Sequence, residues 1–176
     1  MKKNKNNSWI IIITVLSFAI SIIFSYLSET ILKSSSIVIE LIVLFTVILL
    51  GIIFDMIGVA ITTCVEFPFH AMASRKIKGA KTAIKLIKNK DRVSSFCNDV
   101  IGDICGIVSG TAGVIIATSI STNFNINLII CSLLITATIS SLTIGGKAVG
   151  KNIAVNNSER ITKAVSKILS ITEKNK

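Results

Sequence analysis

The stretch Cys97–Gly113, CNDVIGDICGIVSGTAG, decides the fold. It sits in an apolar run long enough to cross a bilayer, yet it carries Asn98, Asp99 and Asp103. An unbroken α-helix puts Asp99 and Asp103, four residues apart, on one face. Gly102, Gly106 and Gly110 repeat at the same spacing, and Ser109 and Gly113 widen that bare stripe. Small residues at this interval let a second helix approach closely. A carboxylate within a membrane helix costs roughly 2.5–3.5 kcal/mol on insertion scales. Two acids beside a glycine seam therefore need partners or a purpose.

Working outward, the whole chain is built for a bilayer. Its 176 residues are 51% hydrophobic and only 16% charged, with a single proline. That composition is too apolar for an ordinary soluble domain. Period-two alternation with turn clusters, the signature of a membrane barrel, is missing, so the expected class is all-α and polytopic. Trp9 to about Leu27 reads as a first, uncleaved span, since no small-residue cleavage site follows it. Residues 1–35 thus form a tail, a span and a short turn, and 36–176 hold the remainder. The second apolar run, Ile37 to about Val65, is some 29 residues, or roughly 43 Å at the helical rise. It exceeds a ~30 Å hydrocarbon core, so it either tilts or breaks near Gly58, and Pro68 ends the segment. Glu40 falls near the outer end, within reach of headgroups. The third span covers about Ser95–Thr118 and the fourth about Leu128–Gly146, joined by the uncharged loop Ser121–Asn127.

Two further segments read as basic amphipathic helices lying at the membrane surface. In residues 71–90, Ile77, Ala80, Ile84 and Ile87 share one face, with Lys76, Lys78, Lys81, Lys85 and Lys88 around them. In residues 157–171, Ile161, Ala164, Val165 and Ile168 do the same. The net charge of +10 follows this arrangement: eight of the 19 basic residues lie between Arg75 and Arg92. Basic loops flanking spans indicate a cytosolic side and contact with anionic lipid rather than nucleic acid. Four spans with both termini cytosolic in a cell membrane leave only Lys33 outside.

The chemistry-bearing residues gather on the cytosolic half of this topology. Asp55 ends the second span, Asn98, Asp99 and Asp103 begin the third, and the fourth carries Ser132, Thr136, Ser140 and Thr143 before Lys147. Oxygen ligands suit hard divalent cations, and magnesium keeps several waters, so two carboxylates and an amide suffice. The metal candidates are thus Asp103, Asp99, Asn98 and Asp55, with Ser140 and Thr143 after them. A plainer reading has Asp99 and Asp103 pairing with Lys147, Lys151 or Arg92 to fix helix register, with the hydroxyls bonded to their own helix. His70, near Glu66 and Cys64, has too few neighbours for a transition-metal site. The cysteines, Cys64, Cys97, Cys105 and Cys131, form no CxxC pair and read as buried apolar residues. With no nucleophile motif, phosphate loop or dinucleotide fingerprint, the sequence offers little support for an enzyme or a bound cofactor.

Three stretches carry a family resemblance: RKIKGAKTAIKLIKNKDR (75–92), SSFCNDVIGDICGI (94–107) and IGGKAVGKNIAVNNSERI (144–161). Their order and spacing resemble the transmembrane domain of the CorB/CorC (cyclin M type) magnesium and cobalt transporters. The resemblance covers roughly Ile37 to Ile171. It matches Gly102-Asp103 to the family's Gly-Asn pair, and sets Lys147 and Gly150 where the family has glutamate and proline. It implies a homodimer that moves magnesium or cobalt through an inward-facing cavity, without the family's cytosolic CBS modules. The alternative is a non-transporting scaffold that pairs with a separately encoded CBS-type regulatory protein.

Overall fold

The computed structural model describes residues 3–33 and 36–173. It is 91% helical, with no strand among the described residues. The elements are α1 (Lys3–Lys33), α2 (Ile37–Thr63), α3 (Phe67–Ser74), α4 (Ala80–Lys88), α5 (Lys90–Ser94), a π-helical segment (Ser95–Gly102), α6 (Asp103–Phe124), α7 (Leu128–Asn156) and α8 (Ser158–Glu173). Four stretches are long and apolar enough to cross a membrane: Trp9–Thr30, Ile37–Thr63, Lys90–Phe124 and Leu128–Asn156. The second run is one unbroken helix through Gly58, so the expected choice between tilt and break resolves against a break. Pro68 does not end α2. It sits in the first turn of α3, where its missing N–H costs nothing.

The chain divides into two compact units. The first holds residues 1–52 and 100–146. Its core is Leu44 and Ile48 of α2, Ala112 and Ile116 of α6, and Ile139 of α7. Small residues set the helix distances. A Cβ on Gly51 would stand 3.0 Å from that of Cys105, and one on Gly113 would run into Ile139 Cδ1. α6 is the most buried of the spanning helices, whereas α1 packs on α6 and exposes Ile10, Phe18 and Tyr26. Exposed apolar residues on such helices fit contact with lipid. Between α6 and α7 the chain turns on asparagines. Asn125 takes a left-handed conformation (φ 54) as the α6 cap, and the Ile129 N–H donates to Asn127 Oδ1 at 2.9 Å, capping α7.

Glu40 departs from its sequence reading. It is buried, only 3% exposed, and receives a hydrogen bond from the Ser119 hydroxyl at 3.2 Å. Among the described residues its Oε2, and the Oγ of buried Ser28, have no partner. An unpaired buried polar atom is costly. Glu40→Met, which keeps the length and removes both oxygens, is expected to raise stability in detergent by about 1 kcal/mol. Thermal unfolding checks this. A loss of stability would mean the carboxyl is worth more than its burial costs.

The second unit holds residues 53–99 and 147–176. Two clusters anchor it: Cys64, Phe69, Ala83 and Ile87, and Val59, Ala60 and Ala154 with Met56 and Ile161. The single surface helix expected over residues 71–90 is two helices, α3 and α4, separated by a tight turn. Lys76 (φ 55) and Gly79 (φ 85) are both left-handed. The Lys76 N–H bonds Ala73 O and the Ile77 N–H bonds Met72 O, a Schellman closure of α3. The apolar face of α4 is also not free to lie in a membrane. Ala80, Ala83 and Ile87 are buried, and α4 packs on α3 and α8. In α8 the buried positions are Thr162 and Ser166, while Ile168, Leu169 and Ile171 are exposed. Short side chains at 162 and 166, one turn apart, admit a neighbouring helix more closely than the isoleucines would.

Candidate functional site

The π-helical segment Ser95–Gly102 overlaps the start of the stretch Cys97–Gly113. A π-helix bonds i to i+5 rather than i+4, and such turns recur at functional sites. It widens the turn beyond the 3.6-residue repeat of an α-helix. Asp99 falls in the second compact unit and Asp103 in the first, where it opens α6.

Asn98 is the most constrained polar residue of the candidate set. Its Nδ2 donates to Ser94 Oγ at 3.3 Å. Its Oδ1 is buried with no hydrogen-bond partner. The side chain lies directly over Gly58 of α2. A Cβ at Gly58 would overlap Asn98 Oδ1 and stand 2.9 Å from its Cγ. Gly58 therefore exists to admit the Asn98 amide, a role the sequence hinted at only through a glycine inside an apolar helix. Asp55 precedes Gly58 by three residues, hence on the same side of α2; it is half-buried. Asp99, exposed, accepts a 2.7 Å hydrogen bond from Ser95 Oγ. Asp55, Asn98 and Asp99 thus belong to one unit. Among the described residues no three His, Cys, Asp or Glu side chains gather as a metal-holding group, so any ion here would rest on an amide, carboxylates and retained water.

Asp103, Ser140 and Thr143 belong to the other unit. Asp103 is exposed. The glycine and hydroxyl stripes do face each other. Gly106, Ser109 and Gly110 of α6 and Thr136, Ser140 and Thr143 of α7 line a gap of about 220 Å³. It is not a tight seam, for a Cβ on Gly106 or Gly110 would meet nothing within 4 Å. Thr136 and Thr143 donate to Ser132 O and Ile139 O, at 2.7 and 2.8 Å. Those hydroxyls are spent on their own helix, and only their lone pairs face the gap.

His70 is accounted for without a metal. Its Nε2–H donates to Glu66 Oε1 at 2.8 Å, and Lys88 Nζ lies 3.6 Å from the same oxygen. All four cysteines are buried thiols. Burial, with a smaller contribution from Glu159, pushes the Cys64 thiol above its ordinary range, which leaves it a poor nucleophile. Compared with known proteins, the chain matches no family model, no curated protein and no solved structure.

Proposed function

We propose that this protein transports a divalent metal cation, with magnesium first and cobalt second, across the cell membrane. The observation that carries the reading is the Asn98 carbonyl oxygen: buried, unpartnered and held on a π-helical segment inside a membrane-length helix. A buried acceptor without a donor is what a cation wants and what a folded protein otherwise avoids. Asp55 and Asp99 supply negative charge in the same unit, and a hydrated magnesium needs no more protein ligands than these. Within the other unit, Asp103 and the Ser140/Thr143 side of α7 are separate candidates for ion contact. The likeness to the CorB/CorC transmembrane domain supports the same reading, and with it a homodimer and cytosolic termini. In this topology the lysines of residues 75–92 face anionic lipid.

The alternative, a membrane scaffold working with a CBS-type partner, is favoured by one observation: Asp99 and Thr143 already have intramolecular hydrogen bonds. Flux separates the two. Purified full chain in liposomes, with a magnesium-sensitive dye inside, is expected to pass magnesium. Asn98→Ala is expected to cut the rate at least about tenfold, within the 10–100-fold range seen for lost metal-site groups, and Asp103→Asn tests the second set. Folded protein with no flux above empty liposomes supports the scaffold. Flux indifferent to both substitutions removes the site assignment.

A further inference from the structure

The turn between α3 and α4 carries a feature that cation passage does not use. Lys76, Lys78 and Lys81 line a groove of about 520 Å³, together with Ala73, Ile77, Gly79, Thr82 and Ser170. Every one of these residues belongs to the second compact unit. Among the described residues no acidic side chain lines the groove, and the first turn of α4 contains none. Glu66 is committed to His70 and Lys88. Among the described residues none of the three ammonium groups has a carboxylate partner.

Three like charges set around one hollow repel each other, and nothing within the described fold offsets them. An arriving oxyanion turns that repulsion into attraction. The groove is also held in shape. The backbone of α8 closes on the turn so tightly that a Cβ at Gly79 would stand 3.0 Å from Lys167 N and Cα. The three lysines are therefore presented from a fixed backbone rather than a loose loop. The start of α4 adds the positive end of its dipole, while the Ser170 hydroxyl is already donated to Lys167 O at 2.8 Å and offers only its lone pairs. The volume lies within the range of small-molecule sites and exceeds what a bare oxyanion fills. Ile77 and Ala73 give it an apolar wall for the rest of a ligand.

We propose that this groove is a binding site for a phosphate monoester, taken either from a lipid headgroup or from solution. The proposal does not rest on the transport reading, and it goes beyond general attraction to an anionic bilayer by naming a discrete, saturable site. Lysine suits it as a compact, strongly hydrated point charge that can follow a tetrahedral anion.

The test uses the full chain in neutral detergent. Native mass spectrometry reads retention of phosphatidic acid against phosphatidylcholine, and phosphorus NMR titration reads binding of inorganic phosphate. The expected result is one equivalent of phosphatidic acid retained and no phosphatidylcholine. Competition by inorganic phosphate assigns the ligand to solution as well, and lack of competition assigns it to lipid. Each lysine is expected to contribute about fivefold, so Lys76→Gly/Lys78→Gln/Lys81→Gln should weaken binding about 100-fold. Lys76→Gly leaves the left-handed backbone intact, and Lys163→Gln, exposed on α8 and outside the groove, removes charge elsewhere. Equal binding by the triple variant, an equal loss with Lys163→Gln, or no binding of either probe would overturn the proposal.

Discussion

Gly79→Ala is expected to lower the stability of the second unit by about 2–5 kcal/mol and to free α8 from α4. Two costs add at this position. The backbone is left-handed, φ 85, which charges an L-residue about 1–2 kcal/mol. The new Cβ would also press on Lys167 N and Cα at 3.0 Å and on Ser166 C at 3.2 Å. These are backbone atoms of a helix, so no side-chain rotation relieves them; α8 as a whole must move. Overpacking of this kind costs about another 1–3 kcal/mol. Thermal unfolding in detergent measures the sum. Hydrogen exchange should show α8 amides losing protection while α6 keeps its own. Lys76→Gly is the opposite swap in the same turn. It removes a non-glycine residue from the left-handed region and is expected to gain about 1 kcal/mol. If both variants lost stability equally, side chains rather than backbone conformation would be setting the turn.

What the sequence made legible was periodic. Four apolar runs gave four membrane-length helices, and the glycine and hydroxyl repeats of the third and fourth spans do face one another across α6 and α7. What it hid was of a different physical kind. Amphipathic spacing showed that α4 has an apolar face, but not that Phe69 and the short side chains of α8 would cover it. The same spacing continued through Lys76–Gly79 as helix, because a lysine in a left-handed cap leaves no compositional mark; only Gly79, inside a lysine-rich run, could have signalled the turn. The π-helical segment has no residue signature either. It forms without a glycine or proline at its start. Glu40 reads as within reach of headgroups because it lies near a span end, and helix ends do not reveal that a neighbouring helix carries a serine to meet it.

Gly58→Ala is expected to abolish magnesium flux while leaving the protein folded, and the reason lies in a single contact. The methyl group would occupy the position of Asn98 Oδ1, with Cγ at 2.9 Å and Nδ2 at 3.2 Å. Asn98 has to swing away, giving up its 3.3 Å bond to Ser94 and moving the orphan oxygen that the ion would use. Alanine in a helix interior gains about 1 kcal/mol over glycine, while overpacking costs about 1–3 kcal/mol. The net stability change is therefore small, about 0–2 kcal/mol, and the functional loss should exceed anything stability explains. Asn98→Ala alone deletes an unpartnered buried acceptor and is expected to leave stability level or raised. Combined with Gly58→Ala it removes the clash, so the pair should be non-additive by about 1–3 kcal/mol, in favour of the double variant. Stability then returns and flux does not, since the oxygen is gone. That separation is the decisive reading of the cycle, made with unfolding curves and liposome flux on the same four proteins. Flux restored along with stability in the double variant would show that Asn98 only fills space over Gly58 and that the cation passes elsewhere.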